Sequence, residues 1–491
     1  MEKSNKKSVA QLALMIALTC LSQVIALYKS RFTAVEFGAT TYMDAYNFAL
    51  NVGTFVFAFI TTGVTTVIIP AYVNKEDRKA TDSFITVIYS AVIIVIAVIL
   101  LFRNPLVNLL TNRGTEFVDI VCDFLFIAFI SQGITAFLAV TTGYFQSINH
   151  YTIPKTITLI SNLIVAIVLI SGFVTNIYTY LGLLVVGALI NLVVDVCVAV
   201  KHGFRFRPRV DFKNPALKKM LHVFAPTLFS SGVYKIHTMV DTTIAASLAE
   251  GQITILSYST LIITMVNNVI VGNLTVYAYP KIISRMNKEG EKQFFWDYTI
   301  FFHAAVALLV AGFINIGREG VTLIFFGGKF TMSDVELLYL CTCIYIFGQQ
   351  FNIIRDLIYR YFYAKGNTSE TLKNSILVSI ANIVLSLILV QFLGVIGIIL
   401  GTVLSSLFSL IMIIFRFRKQ YGLGVKMTGI LFECGKNAIA LVLSVLVVSL
   451  LKMVLPLTVP LLQVWVYGII TVAVYVGVLM LFNTRIKRIQ F

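Results

Sequence analysis

Long apolar stretches recur along the whole chain, separated by short polar or Pro/Gly breaks. A helix that crosses a bilayer needs about 20 predominantly apolar residues. On that measure the pattern predicts about fourteen spans: residues 8–28, 42–73, 83–102, 116–147, 152–172, 177–200, 220–248, 252–284, 295–316, 334–364, 370–391, 393–417, 434–455 and 461–483. Several exceed about 30 residues, so those helices are expected to tilt, bend or project beyond the bilayer. The breaks are too short to hold a soluble domain. The expected fold class is an all-α polytopic membrane protein.

Composition agrees with the pattern. Hydrophobic residues make up 58% of the 491 positions and charged residues 12%, against about 25% charged in an ordinary soluble domain. Mean hydropathy is +0.90. The first apolar segment lacks a small-residue cleavage site and is read as a retained helix.

The charge of +16 changes the picture through its distribution. With a cytoplasmic N-terminus, about 29 of the 38 Lys and Arg fall in or beside inside loops such as KHGFRFRPRVDFKNPALKK. That asymmetry sets both termini in the cytoplasm. It assigns the charge to anionic inner-leaflet lipid, with no nucleic acid as partner.

An internal echo divides the spans. DAYNFALNVGTFVFAFITTGVTTVIIPAYVNKED, from Asp44, parallels LSYSTLIITMVNNVIVGNLTVYAYPKIISRMNKEG, from Leu256. Each runs from a tyrosine (Tyr46, Tyr258) through an apolar helix to a proline (Pro70, Pro280). YFQSINHYTIPKTITLISNLIVAIVLI, from Tyr144, parallels YFYAKGNTSETLKNSILVSIANIVLSLILV, from Tyr361. Both pairs are offset by six spans. The expected organisation is an N-terminal lobe at 1–205, a C-terminal lobe at 206–420 and two additional helices at 421–491. Two six-helix lobes would surround a central cavity.

Candidate chemistry lies in polar residues at membrane depth, which are costly in hydrocarbon and usually face a cavity or a partner. The stretch YKIHTMVDTTIAASLAEG carries Lys235, His237 and Asp241 within two turns. Lys235 and Asp241 are six residues apart, about 120° around a helix, and need not pair. Gln23, Lys29 and Arg31 end the first span; Asp44 opens the second; Asn268 lies on the eighth; Arg355 and Arg360 lie on the tenth. Arg355 and Asp356 are adjacent and do not share a helix face, so Arg355 is expected to lack a local acid. Lys29, Arg31, Lys235 and Arg355 are the candidate cationic, substrate-binding set. Gln23, Asp44, His237, Asp241, Asn268 and Arg360 are the candidate polar or coupling set. Unpaired cations suit an anionic ligand such as a phosphate. Plainer roles compete: Lys29, Arg31 and Arg360 as snorkelling side chains, Asp44 as a cap, His237 in helix packing, and Asp195 bonded to a neighbouring helix.

Other classes find less support. No GxxxxGK[ST] loop is present, the nearest stretch being FGGKF. The six cysteines lie mostly in apolar segments and form no zinc-ligand pattern. No carboxylate pair stands on a sizeable loop, as an embedded glycosyltransferase would need. No catalytic residue, metal or cofactor is expected.

The stretches FGATTYMDAYNFAL, YKIHTMVDTTIAASLAEGQITILSYSTLI, FFGGKFTMSD and IRDLIYRYFYAKGNTSETLKNSILVSIANIVLSLILV resemble the MurJ (MviN) lipid II flippases. These belong to the multidrug/oligosaccharidyl-lipid/polysaccharide exporter superfamily, and the likeness, to the Gram-positive branch, runs from about residue 8 to 417. The resemblance implies a bacterial plasma-membrane flippase that moves an undecaprenyl-pyrophosphate-linked saccharide, lipid II foremost, outward by alternating access. Its partners would be that substrate, the bilayer, and cell-wall or polysaccharide synthesis proteins. It also places Lys29 where the family has a basic residue and Asp44 at its acid near the start of the second span. Gln23, Phe57 and Thr260 depart from it, standing where lipid II flippases commonly carry arginines. Two alternatives stay open: a flippase for a capsular or other envelope polysaccharide precursor, and a drug/cation antiporter of the same superfamily. Membrane potential and an ion, H+ or Na+, are both open as energy sources.

Overall fold

The computed structural model describes residues 2–74, 77–268, 288–365 and 367–482, with side chains described from residue 14 apart from 62 and 226–234. Every regular element among them is a helix. Eleven of these helices are long and apolar enough to cross a membrane, so the chain is a multi-pass membrane protein. The membrane-length helices outside that eleven are α1 (Glu2–Phe37) and α8 (Pro215–Ala246), and α9 (Gln252–Val266) is shorter. These three correspond to expected spans 1, 7 and 8. They carry or adjoin Gln23, Lys29, Lys235, His237, Asp241 and Asn268. The rest of expected span 8, and Pro280 of the internal echo, lie outside the described residues.

Contacts divide the chain into two compact units, Met1–Thr254 and Ile255–Phe491. In the first, α2 (Thr41–Val73) packs against α5 (Thr115–Ser147) and α8. Helix α1 lies on α6 (Thr152–Ile170), while α7 (Ile177–Lys201) packs on α5 and α6. Helix α3 (Arg78–Leu101) leads into a short helix, α4 (Arg103–Leu110), that the hydropathy pattern does not signal. The core is aromatic at its centre, with Tyr72 edge-on to Tyr144 at 5.0 Å and Phe84 edge-on to Phe224 at 5.5 Å.

A strap of residues 202–214 joins α7 to α8. Phe204 is buried and Phe206 packs beside it, while Arg205, Arg207 and Arg209 are exposed. That alternation is the two-residue period of extended chain. Three bonds tie the strap to the start of α3: Arg78 Nη2 donates to the Arg205 carbonyl at 2.9 Å, the Arg209 N–H to Thr86 Oγ1 at 3.1 Å, and Asn214 Nδ2 to Asp77 Oδ2 at 2.7 Å. Asn214 also caps α8, with Pro215 at its first turn.

In the second unit α10 (Glu291–Phe325) packs on α11 (Met332–Ala364), α14 (Met427–Val454) and α15 (Pro460–Leu481). Helices α12 (Thr368–Leu393) and α13 (Val395–Tyr421) form a tight hairpin, closed where Gly397 meets the Leu389 backbone. The core gathers Phe295, Trp296, Tyr361, Phe417 and Tyr421. Polar clasps fasten the last two helices. Lys452 Nζ binds Glu319 Oε1 at 2.7 Å, Asn315 Nδ2 donates to Thr471 Oγ1 at 2.9 Å, and Tyr475 donates to the Ala304 carbonyl at 2.9 Å. Four helices (α2, α5, α10 and α11) have 33 to 35 residues. That is about 50 Å of helix against about 30 Å of hydrocarbon, so they tilt or project.

Candidate functional site

Asp44, in the first turn of α2, is 0% exposed. Its Oδ2 accepts from Arg113 Nη1 at 2.6 Å and from the Gly251 N–H at 2.7 Å. Its Oδ1 accepts from the Thr254 N–H at 2.9 Å and the Thr254 hydroxyl at 2.7 Å. One carboxylate thus joins the start of α2, the segment before α5 and the turn into α9 together with that helix's first residues. Gly251 has φ +84°, and a Cβ there would lie 2.8 Å from the Ala39 carbonyl oxygen. Only glycine suits that close approach. Glu250 adds a second carboxylate, its Oε1 accepting from the Thr41 N–H at 2.5 Å and the Thr41 hydroxyl at 2.8 Å. Negative charge at a helix N-terminus is favourable.

Arg113 is pinned on its other side, its guanidinium lying 4.7 Å from the Phe117 ring centroid. With both oxygens engaged by donors, Asp44 acts as a fastener between three segments. Asn47, one turn on, donates to Thr254 Oγ1 at 3.4 Å.

The other first-unit candidates are spread over α1 and α8. Lys29 Nζ donates to Asn162 Oδ1 of α6 at 2.7 Å. Arg31, two residues on, points to the other side of the helix and is exposed, and Gln23 is half-buried. On α8, Lys235 and His237 are half-buried and Asp241 is buried.

Asn268, Arg355 and Arg360 belong to the second unit. Asn268 is exposed just beyond α9, and Arg360 is half-buried. Arg355 corrects an expectation. Its Nη2 and Nε both reach Asp356 Oδ1, at 2.9 and 3.0 Å. Successive residues leave a helix about 100° apart, yet a guanidinium on a three-carbon stem spans that angle. Asp356 is therefore the local acid that helix geometry had discounted. Arg355 also lies 5.8 Å from the Tyr359 ring centroid, and the Tyr359 hydroxyl accepts from Asn374 Nδ2 at 2.9 Å. Asn374 donates further to Ser409 Oγ at 2.9 Å, extending the polar row across α11, α12 and α13.

Arg113, Gly251, Thr254, Asn162, Tyr359 and Asn374 were not singled out from sequence. Arg113 sits in a linker, where cations are usually solvated, and its partner is 69 residues away. The Glu250-Gly251 pair at a helix-to-helix turn was the one available signal. Of the departures from the resembling family, Phe57 is a packing position, 1% exposed with its ring 5.6 Å from Phe129, while the half-buried Thr260 bonds its hydroxyl to the Leu256 carbonyl one turn back at 2.8 Å. Among the described residues no cluster of three or more His, Cys, Asp or Glu is placed to hold a metal.

Comparison with known proteins gives consistent matches. The family described as lipid II flippase MurJ matches residues 33–474. A probable lipid II flippase MurJ of Rickettsia prowazekii (strain Madrid E) is 23% identical over 451 residues, covering 89% of this chain and 88% of that protein. A solved lipid II flippase MurJ in an inward closed conformation superposes with a TM-score of 0.80 at 19% identity, covering 95% of this chain and 98% of that one. An inward-facing MATE-family multidrug resistance transporter of the MOP superfamily superposes less closely, with a TM-score of 0.61 at 14% identity over 83% of this chain and 98% of that one.

Proposed function

The chain belongs to the lipid II flippase MurJ family, and from that premise we propose that it carries lipid II from the inner to the outer leaflet of a bacterial plasma membrane by alternating access. The family match from residue 33 to 474 carries this reading. The in-membrane chemistry supports it: the substrate is a lipid-linked diphosphate, and Lys29, Lys235 and Arg355 are cations on membrane-length helices. Phosphate oxygens would compete with Asn162 for Lys29 and with Asp356 for Arg355, trading one hydrogen-bonded partner for a doubly charged one. Arg31 and Arg360 add charge near the helix ends. Gln23, His237, Asp241 and Asn268 serve hydration or ion coupling. Both termini lie in the cytoplasm, where the arginine strap faces anionic lipid.

The experiment is rescue of a bacterium depleted of its own lipid II flippase by wild type and by Lys29→Ala, Lys235→Ala and Arg355→Ala. Wild type restores growth and each variant, at equal membrane abundance, loses most of it. A well-expressed wild type that cannot rescue transfers the assignment to a different undecaprenyl-linked precursor. That second reading is favoured by one observation, the uncharged Gln23, Phe57 and Thr260 where lipid II flippases commonly carry arginines.

A further inference from the structure

Along α7, Asn191 and Asp195 are four residues apart and stack on one face, about 6 Å apart along the axis. Each holds a buried oxygen without a hydrogen-bond partner, Asn191 Oδ1 and Asp195 Oδ2. Asp195 is 2% exposed. The Thr141 hydroxyl of α5 donates to the Leu138 carbonyl at 3.0 Å, and Asp195 Oδ2 is left unanswered. Two acceptors side by side, one of them a carboxylate in a membrane helix, require a positive partner.

The surrounding charges do not supply it. From α6, Lys155 is exposed and directed to Thr19 Oγ1 at 3.3 Å. From α5, Tyr144 donates to the His202 carbonyl at 2.7 Å, and Glu116, Asp119 and Asp123 lie at the opposite end of that helix. Tyr89 of α3, within electrostatic range of Asp195, donates to the Phe137 carbonyl at 3.3 Å. Lys201 is exposed at the end of α7. Lys29 is held by Asn162.

We propose that Asp195 and Asn191 form a binding site for a monovalent cation, Na+ or H+, inside the first unit between α5, α6 and α7. The two open acceptors are both oxygens, the Asp195 carboxylate and the Asn191 amide oxygen, which suits a hard cation. A single carboxylate matches a single positive charge. Sodium would bridge Asp195 Oδ2 and Asn191 Oδ1. A proton would sit on Asp195 Oδ2 and be donated to Asn191 Oδ1. The site also connects to a substrate candidate: Asn191 Nδ2 donates to Thr158 Oγ1 at 3.4 Å, Asn162 Nδ2 donates to the Thr158 carbonyl at 2.9 Å, and Asn162 accepts from Lys29 at 2.7 Å. A cation at Asp195 is thus placed to be the coupling ion of the flippase; that role rests on the proposed function, while the site does not.

The test uses the purified full chain in detergent without lipid substrate, so failure of the flippase assignment leaves it unaffected. Radioactive sodium is titrated against choline at fixed pH, and infrared difference spectra are recorded between acidic and alkaline pH without sodium. Saturable sodium binding that weakens at least roughly tenfold in Asp195→Asn identifies sodium, since ligand charge sets ion affinity. A protonated-carboxyl band that disappears in Asp195→Asn, with no sodium binding, identifies the proton. Neither signal overturns the proposal and leaves Asn191 turned about, its amide N–H donating to Asp195. If Asp195→Asn does not fold, Asn191→Leu decides: it keeps the carboxylate but must weaken sodium binding or move the pH at which the band appears. Unchanged behaviour in Asn191→Leu removes the shared site.

Discussion

Two buried carboxylates of the first unit are built in opposite ways. Asp44 is surrounded by four donors from two other segments, a guanidinium among them, while Asp195 keeps one oxygen with no donor at all. Both lie in helices at nearly zero exposure. Burial alone therefore says little about what an acid does. A fully answered carboxylate fixes its neighbours, whereas an unanswered one keeps an open valence for something that comes and goes.

The largest effect should come from stranding the answered acid. Arg113→Ala leaves the Asp44 charge buried without its counter-ion, at a cost of about 3–5 kcal/mol. Thermal unfolding of the purified protein reads it, and a loss below about 1 kcal/mol would mean that water or a second cation replaces the arginine. Next in size is Gly251→Ala, which forces a Cβ against Ala39 at φ +84°. A loss of roughly 1–3 kcal/mol is expected, and wild-type stability would show that the turn can relax.

Neutralising the two acids sharpens the contrast. Asp44→Asn should lose about 1–3 kcal/mol, because an amide NH2 faces donors that need an acceptor. Asp195→Asn, measured at neutral pH without sodium, should cost nothing or raise stability. Equal losses at both positions would erase the distinction. The smallest effect concerns Asp77, outside the spans. Its carboxyl is held below the usual carboxylate range, first by the Asn214 side chain and then by the Lys79 N–H. A depressed acid contributes stability that is present above its unfolded pKa, about 3.9, and is lost as pH falls through the lower folded value. Asn214→Ala should flatten stability against pH below about 4, and an unchanged profile would place the acid sensitivity elsewhere.

The contrast also explains what the sequence could convey. Apolar run length gave the helices, because membrane crossing imposes it locally and repeatedly. The list of polar in-membrane residues was legible for the same reason. What each one touches was not: Arg113 reaches Asp44 through tertiary packing, and Arg355 bends to its neighbour Asp356 by side-chain length that a helical wheel ignores. Asp195 drew only a packing expectation, since a missing partner has no signature in a one-dimensional string. Helix α4 escaped because eight residues are too few for a hydropathy pattern.

The strap between α7 and α8 bears on how the protein could be cut in two. Its Phe204 is sunk in the first unit with Phe206 packed beside it, and hydrogen bonds tie it to Arg78, Thr86 and Asp77. A split-gene pair divided before the strap would strip one fragment of part of its own core and hand the other an unsupported helix. A division after Thr254, where the two compact units meet in sequence, would leave the Asp44 fastening whole, and co-expressed fragments cut there have the better prospect of reassembling.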